Sequence, residues 1–391
     1  MKKTTSRLPG LLCALLAATL TALVGCAPKV QPTPISAHPP VAAAIPAEAK
    51  NWAPLIERLS KDGFDRAMLI ALFSKPQLRF DPKPMRTKLN ELLRIGYGSE
   101  LTQKIQQGLN ELGYELGKTD GKAGGRTRAA IRNFQEAHGL PADGEPSEAV
   151  LQRIQFDLSL PIAQRPKPKP VAAETEDASV YKNVLTPQNL AKSLAFYLQH
   201  RELLMQMEKA YGVPAELAVA IFTVETRLGE YLGEGSACVN LASMALSADF
   251  ERVATHFSDA DQGQIAFLKQ KARERGDWAY AEFKALLRYA QNNSKDPLAI
   301  PGSIYGAIGI GQFMPSNALK FGVDGDGNGL VDLFELTDAV HSFGNYVREH
   351  GWQGDMASLE KRRKVLMRYN HSARYVNTVL GVSDHLAKHR R

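Results

Sequence analysis

Residues 211–229 read YGVPAELAVAIFTVETRLG, and the fold turns on how that stretch is taken. Pro214 suits the first turn of a helix, and Glu216 places a negative charge at the positive end of the helix dipole. From Leu217 to Val224 the run is apolar on nearly every face, so the helix it predicts is a buried one. Glu225 stands at its far end, followed by Thr226-Arg227-Leu228-Gly229. A carboxyl at the end of a buried apolar helix loses hydration, and its pKa rises. Such a group can act as a general acid near neutral pH, or it can be half of an ion pair with Arg227; the residues alone leave both open.

Outward from this helix, most segments from residue 180 to residue 391 carry helical patterning with little β alternation, which predicts a mainly α protein. Residues 51–96 are patterned likewise, with Trp52, Leu55, Ile56 and Leu59, then Met68, Leu69, Leu72 and Phe73. Residues 98–156 form a unit of their own: Ile105, Leu109 and Leu112 on one helical face, an Asp120-Gly121 turn, then Ala130, Ile131 and Phe134. Gly139-Leu140 and Asp143-Gly144 close it, and Val150, Leu151 and Ile154 begin a last short helix. Residues 157–179 are rich in Pro, Lys and Glu and read as a linker. With 391 residues the chain has room for two ordinary domains.

The N-terminus reads as an address. Lys2, Lys3 and Arg7 precede an apolar stretch from Leu11 to Val24, which has the length of a signal-peptide core and is short for a membrane span. It ends in Leu23-Val24-Gly25-Cys26, which resembles a bacterial lipobox. Residues 1–25 are therefore expected to be a lipoprotein signal peptide, and Cys26 to be lipidated. Ala27 in place of Asp implies, by resemblance to Gram-negative lipoproteins, the periplasmic side of the outer membrane. Residues 26–50, Pro- and Ala-rich, would be the flexible tether. Of the three cysteines only Cys238 then remains, so no internal disulfide is expected and Cys238 reads as a core residue. The net charge of +7 includes three charges on the signal segment; with no long Lys/Arg run, nucleic acid is not an expected partner, whereas an anionic polymer is compatible.

Residues 324–335, DGDGNGLVDLFE, follow the EF-hand loop pattern: Asp324, Asp326, Asn328, Asp332 and Glu335 supply side-chain oxygens, Leu330 a carbonyl, and Gly329 the turn. A structural Ca2+ is expected there.

Four stretches carry a resemblance: Val224-Glu225-Thr226-Arg227-Leu228-Gly229, Gly302-Ser303-Ile304-Tyr305-Gly306-Ala307-Ile308-Gly309-Ile310-Gly311-Gln312-Phe313-Met314-Pro315-Ser316, Asn345-Tyr346 with His350-Gly351-Trp352, and Tyr369-Asn370-His371-Ser372-Ala373-Arg374-Tyr375. Together with Asp62-Gly63-Phe64-Asp65-Arg66 and Phe80-Asp81-Pro82-Lys83-Pro84-Met85, they resemble the membrane-bound lytic murein transglycosylase B family, over residues 52–96 and about 180–388. Leu112-Gly113-Tyr114, Asp120-Gly121, Phe134-Gln135 and Asp143-Gly144 resemble the small three-helix peptidoglycan-binding domain. The resemblance implies a lysozyme-like lytic transglycosylase domain with the peptidoglycan-binding domain inserted into it, two modules in tandem being the alternative. It implies Glu225 as acid and base, and Ser303, Gln312, Tyr346, Tyr369, Asn370 and Tyr375 lining a sugar groove. The family has a pair of Arg before residue 260; here Arg252 is followed by Val253, so one substrate contact remains of two. The implied reaction cleaves the bond between MurNAc and GlcNAc in peptidoglycan to a 1,6-anhydro product, for which one carboxylate suffices. A hydrolytic muramidase would need a second carboxylate facing Glu225. A non-catalytic peptidoglycan-binding lipoprotein would need neither.

Overall fold

The computed structural model describes residues 44–97, 100–168, 180–353 and 356–389. The expected signal peptide, Cys26 and most of the tether lie outside the described residues. The tether's end does not stay extended. Ala47–Trp52 form a 3-10 turn in which Ala49 and Trp52 are buried, so the packed chain begins before residue 51. Trp52 explains why: its indole packs 5.2 Å from Phe73 and donates to the Leu78 carbonyl at 3.3 Å, a partner it needs when buried.

Helices α1 (Ala53–Lys61), α2 (Arg66–Phe73) and α3 (Lys83–Gly96) follow. Asp65 starts α2 by accepting from the Met68 N–H at 2.6 Å. The small unit comprises α4 (Glu100–Glu111), α5 (Gly125–Ala137) and α6 (Glu148–Ser159). Ile105, Leu109, Ile131, Phe134, Val150 and Ile154 form its own core, distinct from the main one. Its two Asp-Gly turns are held by the same device. Gln106 accepts from the Gly121 N–H and donates to Asp120, and Gln135 accepts from the Gly144 N–H and donates to Asp143. Both amides are buried and would be costly if unpaired. Helix α6 runs three residues past 156 because Asp157 is fully buried, paired with His138 at 2.9 Å and Arg153 at 3.2 Å. The expected linker therefore starts after Ser159, and residues 169–179 of it lie outside the described residues.

The rest of the chain is α7 (Pro187–Gln199), α8 (Arg201–Tyr211), α9 (Ala215–Thr226), α10 (Ala237–Leu246), α11 (Gln262–Asn292), α12 (Pro315–Phe321), α13 (Leu336–Glu349), α14 (Leu359–Tyr369) and α15 (Ala373–His389). Two short strands, β1 (Gly235–Ser236) and β2 (Pro301–Gly302), pair antiparallel, Gly235 opposite Gly302. One continuous core joins side chains of α1 to α3 with those of α7 to α15, across the small unit that separates them in sequence. At its centre lies α9, packed against α7, α8, α13 and α15. Pro214 precedes it with an extended ψ of 135°, so the helix starts one residue later than the proline-first reading. Every residue from Ala215 to Thr223 is buried. Burial of each large apolar side chain there stabilises the fold by about 1.5–3 kcal/mol. Among the described residues no helix is long and apolar enough to cross a membrane.

Candidate active site

The C-terminal end of α9 is fastened before the acid is reached. Thr226 donates through Oγ1 to the Ile310 carbonyl at 2.8 Å, tying the helix end to the 302–316 segment. Arg227 and Leu228 then take left-handed conformations, φ 51° and 65°, and Gln312 across from them does the same at φ 50°. Non-glycine residues in that region carry strain, which persists where the surroundings over-determine it. The 302–316 segment packs too closely for side chains at its glycines: a Cβ on Gly306, at φ +84°, would fall 2.4 Å from Leu241. That proximity brings Gln312 and Ser303 to the same cavity as Glu225.

Glu225 lies between two cavities of about 510 and 410 Å³. It is partly exposed, yet most of its surroundings are protein. Loss of hydration pushes its carboxyl up to about 7, against a smaller lowering by its hydrogen bond with Tyr375. That bond is short: Tyr375 Oη donates to Glu225 Oε1 at 2.6 Å. Tyr375 stacks nearly parallel to Tyr369, centroids 6.5 Å apart, and Tyr369 Oη donates to the Gly311 carbonyl. Burial, and then the charge of Glu225, hold both phenols above their ordinary range. Each stays a neutral donor. No Glu225–Arg227 pair is formed; the Arg227 guanidinium lies 5.8 Å over the Tyr231 ring.

The expected site residues fall into four groups. Glu225, Ser303, Gln312, Tyr369 and Tyr375 come together. Ser303 Oγ accepts from the Ala307 N–H at 3.0 Å and Gln312 Nε2 donates to the Gly309 carbonyl at 3.1 Å, so both are held by their own loop. Tyr346 is a support behind them: it is buried, T-shaped to Tyr369 at 5.1 Å, with Oη donating to the Arg368 carbonyl. Asn370 is exposed and ends α14. Arg252 belongs elsewhere. Its guanidinium donates to Asn51 and approaches Asp249 at 3.8 Å, and it lines neither cavity beside Glu225. Asn51 comes from the N-terminal segment, which the local sequence around Arg252 could not reveal. Residues that sequence reasoning missed line the cavities too: Tyr231, Glu234, Asn240, Asp81 and Lys83. Asp81 arrives from the loop before α3, with its N–H donating to Ser243 Oγ at 3.0 Å.

The acidic loop is arranged differently from its expected pattern. Asp324, Asp326 and Asp338 bring carboxylate oxygens within 4.8 Å of one another. Hard oxygen donors of that kind suit Ca2+ or Mg2+. Asp324 accepts from the N–H groups of Gly327, Asn328 and Gly329, and Asn328 donates to Asp326. Glu335 and Asp332 are not in the cluster. Glu335 caps α13 by accepting from Thr337 N and Asp338 N, and Asp332 is paired with Lys295 at 2.8 Å. Leu330 is exposed at the loop's far side of Asn328, whose Oδ1 accepts its N–H. Burial raises the Asp338 carboxyl, and the neighbouring charges of Asp326 and Glu335 add to it, so the cluster is one that a cation would relieve. Cys238 is fully buried and burial pushes its thiol up, consistent with a core residue.

Comparison with known proteins places this geometry. The profile of the "Transglycosylase SLT domain" matches residues 128–362, more than half of the chain. That of a peptidoglycan binding domain matches residues 98–154. Tyr369, Asn370 and Tyr375 lie beyond the first match. The membrane-bound lytic murein transglycosylase B of Escherichia coli is 34% identical over 179 residues, 46% of this chain and 43% of that protein, so the chain spans less than half the length of this relative. The spore cortex-lytic enzyme of Bacillus cereus is 34% identical over 74 residues, 18% of this chain and 29% of that protein. Among solved structures, the Escherichia coli lytic transglycosylase SLT35 in complex with bulgecin A aligns at a TM-score of 0.45 and 21% identity, over 77% of this chain and 98% of that one. The soluble lytic transglycosylase SltB1 from Pseudomonas aeruginosa gives 0.44 and 22%, over 67% and 99%. Matched over more than half of its length, the chain belongs to the transglycosylase SLT domain family.

Proposed function

We propose that the chain is a lytic transglycosylase of peptidoglycan with Glu225 as its acid and base. The observation that carries this is the Glu225 carboxyl itself, raised to about 7 in a groove and served by one phenol donor. A carboxyl of that pKa is protonated often enough to donate near neutral pH and ionised often enough to take the proton back. Glu225 protonates the oxygen bridging MurNAc and GlcNAc, and the bond from that oxygen to C1 of MurNAc breaks. The substrate's N-acetyl oxygen stabilises the cation. The C6 hydroxyl then bonds to C1 and returns its proton to Glu225, giving a 1,6-anhydro sugar without consuming water. Gln312 and Ser303, fixed by their own loop, orient polar groups of the sugars. Tyr375 holds the carboxyl in place, and Tyr369 with Tyr346 backs it. Asn370 is an exposed contact at the groove's edge.

The small unit, with its separate core, is an inserted module that grips peptidoglycan. Asp324, Asp326 and Asp338 would hold a Ca2+ that cross-links the loop to α13; the ion's part is structural. Cys26 anchors the chain by its lipid to the periplasmic face of the outer membrane.

A hydrolytic reading has one observation behind it: Glu234 and Asp81 line the same cavity as Glu225. Digestion of purified peptidoglycan, with the masses of the released fragments, separates the readings. Fragments one water lighter than hydrolysis products, absent with Glu225→Gln, support the transglycosylase. Ordinary reducing ends would make it a muramidase. Binding without fragments would leave a wall-binding lipoprotein.

A further inference from the structure

Among the lining residues, Glu225 and Tyr231 are the pair common to both cavities. Tyr231 thus sits on the divide between them, beside the acid. It is 44% exposed, so much of the ring is open to a ligand in the groove. The loop that carries it is pinned at both ends. The Tyr231 N–H donates to the Thr226 carbonyl at 2.9 Å. Gly233, at φ +121°, lies so close to β2 that a Cβ there would fall 2.0 Å from the Gly302 carbonyl oxygen. Glu234 lines the same cavity as the ring and raises its phenol above the ordinary range, and Arg227 lies over the ring at 5.8 Å. The backbone is therefore held on both sides of the ring while much of the ring stays open.

We propose that Tyr231 is the platform on which the sugar at the cleavage point stacks, and that Glu234 is the positioning residue that sets its angle. The argument rests on the glycan reading of the groove. A glycosidic bond served by Glu225 must lie over the divide, with one sugar toward each cavity, so the ring beside Glu225 lies under the scissile region. The C–H face of a pyranose is apolar and matches a tyrosine face, as other apolar surfaces do. A ring already fixed loses little entropy on binding. The inference also gives Glu234 an occupation other than that of a second catalytic carboxylate.

The test uses the full-length chain carrying Glu225→Gln, which stops turnover, and a β-1,4-linked N-acetylglucosamine tetramer followed by calorimetry. Adding Tyr231→Ala should weaken binding about tenfold, while Tyr231→Trp retains it and Tyr231→Phe changes it by at most about threefold. In the active chain, Tyr231→Ala should raise KM for solubilised glycan strands about tenfold with kcat nearly unchanged. Glu234→Ala should raise KM by a smaller factor, and Glu234→Gln, whose amide oxygen still accepts from the phenol, should restore it. Tetramer binding indifferent to Tyr231→Ala overturns the platform and leaves the glycan reading standing. No tetramer binding by the Glu225→Gln chain, together with no fragments from the wild type, overturns both. A kcat for Glu234→Gln reduced like that of Glu225→Gln would make Glu234 catalytic and end its positioning role.

Discussion

Glu225 and Asp324 are both carboxylates next to a helix end or loop start, and their surroundings drive them opposite ways. Asp324 accepts three backbone N–H bonds, from Gly327, Asn328 and Gly329, and these hold it below the usual carboxylate range, the Gly329 bond most of all. Glu225 has one donor, Tyr375, and burial pushes it up to about 7. The residue type does not decide the charge; the balance between lost water and supplied donors does. One environment raises a carboxyl toward neutral pH, the other keeps a carboxylate ionised on backbone N–H donors.

The largest expected effect breaks the first half of the contrast. Glu225→Gln should cut fragment release from peptidoglycan by about 10³-fold; a variant that keeps even a tenth of the activity would move the acid elsewhere. The second half is sharpened by chelation. Removing divalent ions should lower Tm by about 5 °C, as loss of a bound ion does for a chain of this size, and Asp338→Asn should abolish that difference. If chelation lowers Tm as much in Asp338→Asn as in the wild type, the ion is not held by this cluster.

A smaller effect follows from linkage. The folded pKa of Glu225 lies above its ordinary value of 4.5, so between those pH values the folded chain binds more protons than the unfolded one. Stability from this group is then fully present below pH 4.5 and is lost as pH rises through about 7. Glu225→Gln, which cannot ionise, should therefore be more stable than the wild type by about 2 kcal/mol at pH 8, allowing for the part of the carboxyl that water reaches. The two chains should converge at pH 4, and denaturant unfolding at both pH values is the check. Smaller still, Tyr375→Phe removes the donor that favours the ionised form. The alkaline limb of activity, where the acid loses its proton, should move up by about one pH unit. A limb that moves down would mean that Tyr375 stabilises the protonated acid rather than the ionised one.

Legibility followed the range of the physics. The small unit's faces could be read because each depends on side chains a turn or two apart: Ile105 with Leu109, Ile131 with Phe134. What the same local reading could not supply was Gln106 and Gln135 reaching across to the Asp-Gly turns, or Asp157 drawn into the core by His138 and Arg153. Arg252 was legible as a charge, but its pairing with Asn51, 201 residues away, was not. Tyr231 and Glu234 carry no motif, and the run that holds Asp81 pointed only to N-terminal helices; their standing comes from a place in the groove, which no pattern of residues records. Asp338 escaped because the twelve-residue loop pattern ends at Glu335, while the first turn of α13 folds Asp338 back beside Asp324.

The sequence by itself determined a buried helix after Pro214 and the presence of a carboxyl at its end, because a continuous apolar run excludes a surface helix and sets Glu225 at the edge of the core. Only the tertiary structure decided what that carboxyl is. Tyr375 arrives from 150 residues further along the chain to give it one donor, and the 302–316 segment closes against it to remove its water. A pKa depends on the groups around a charge in space, and those neighbours are set by packing between distant segments rather than by adjacency along the chain.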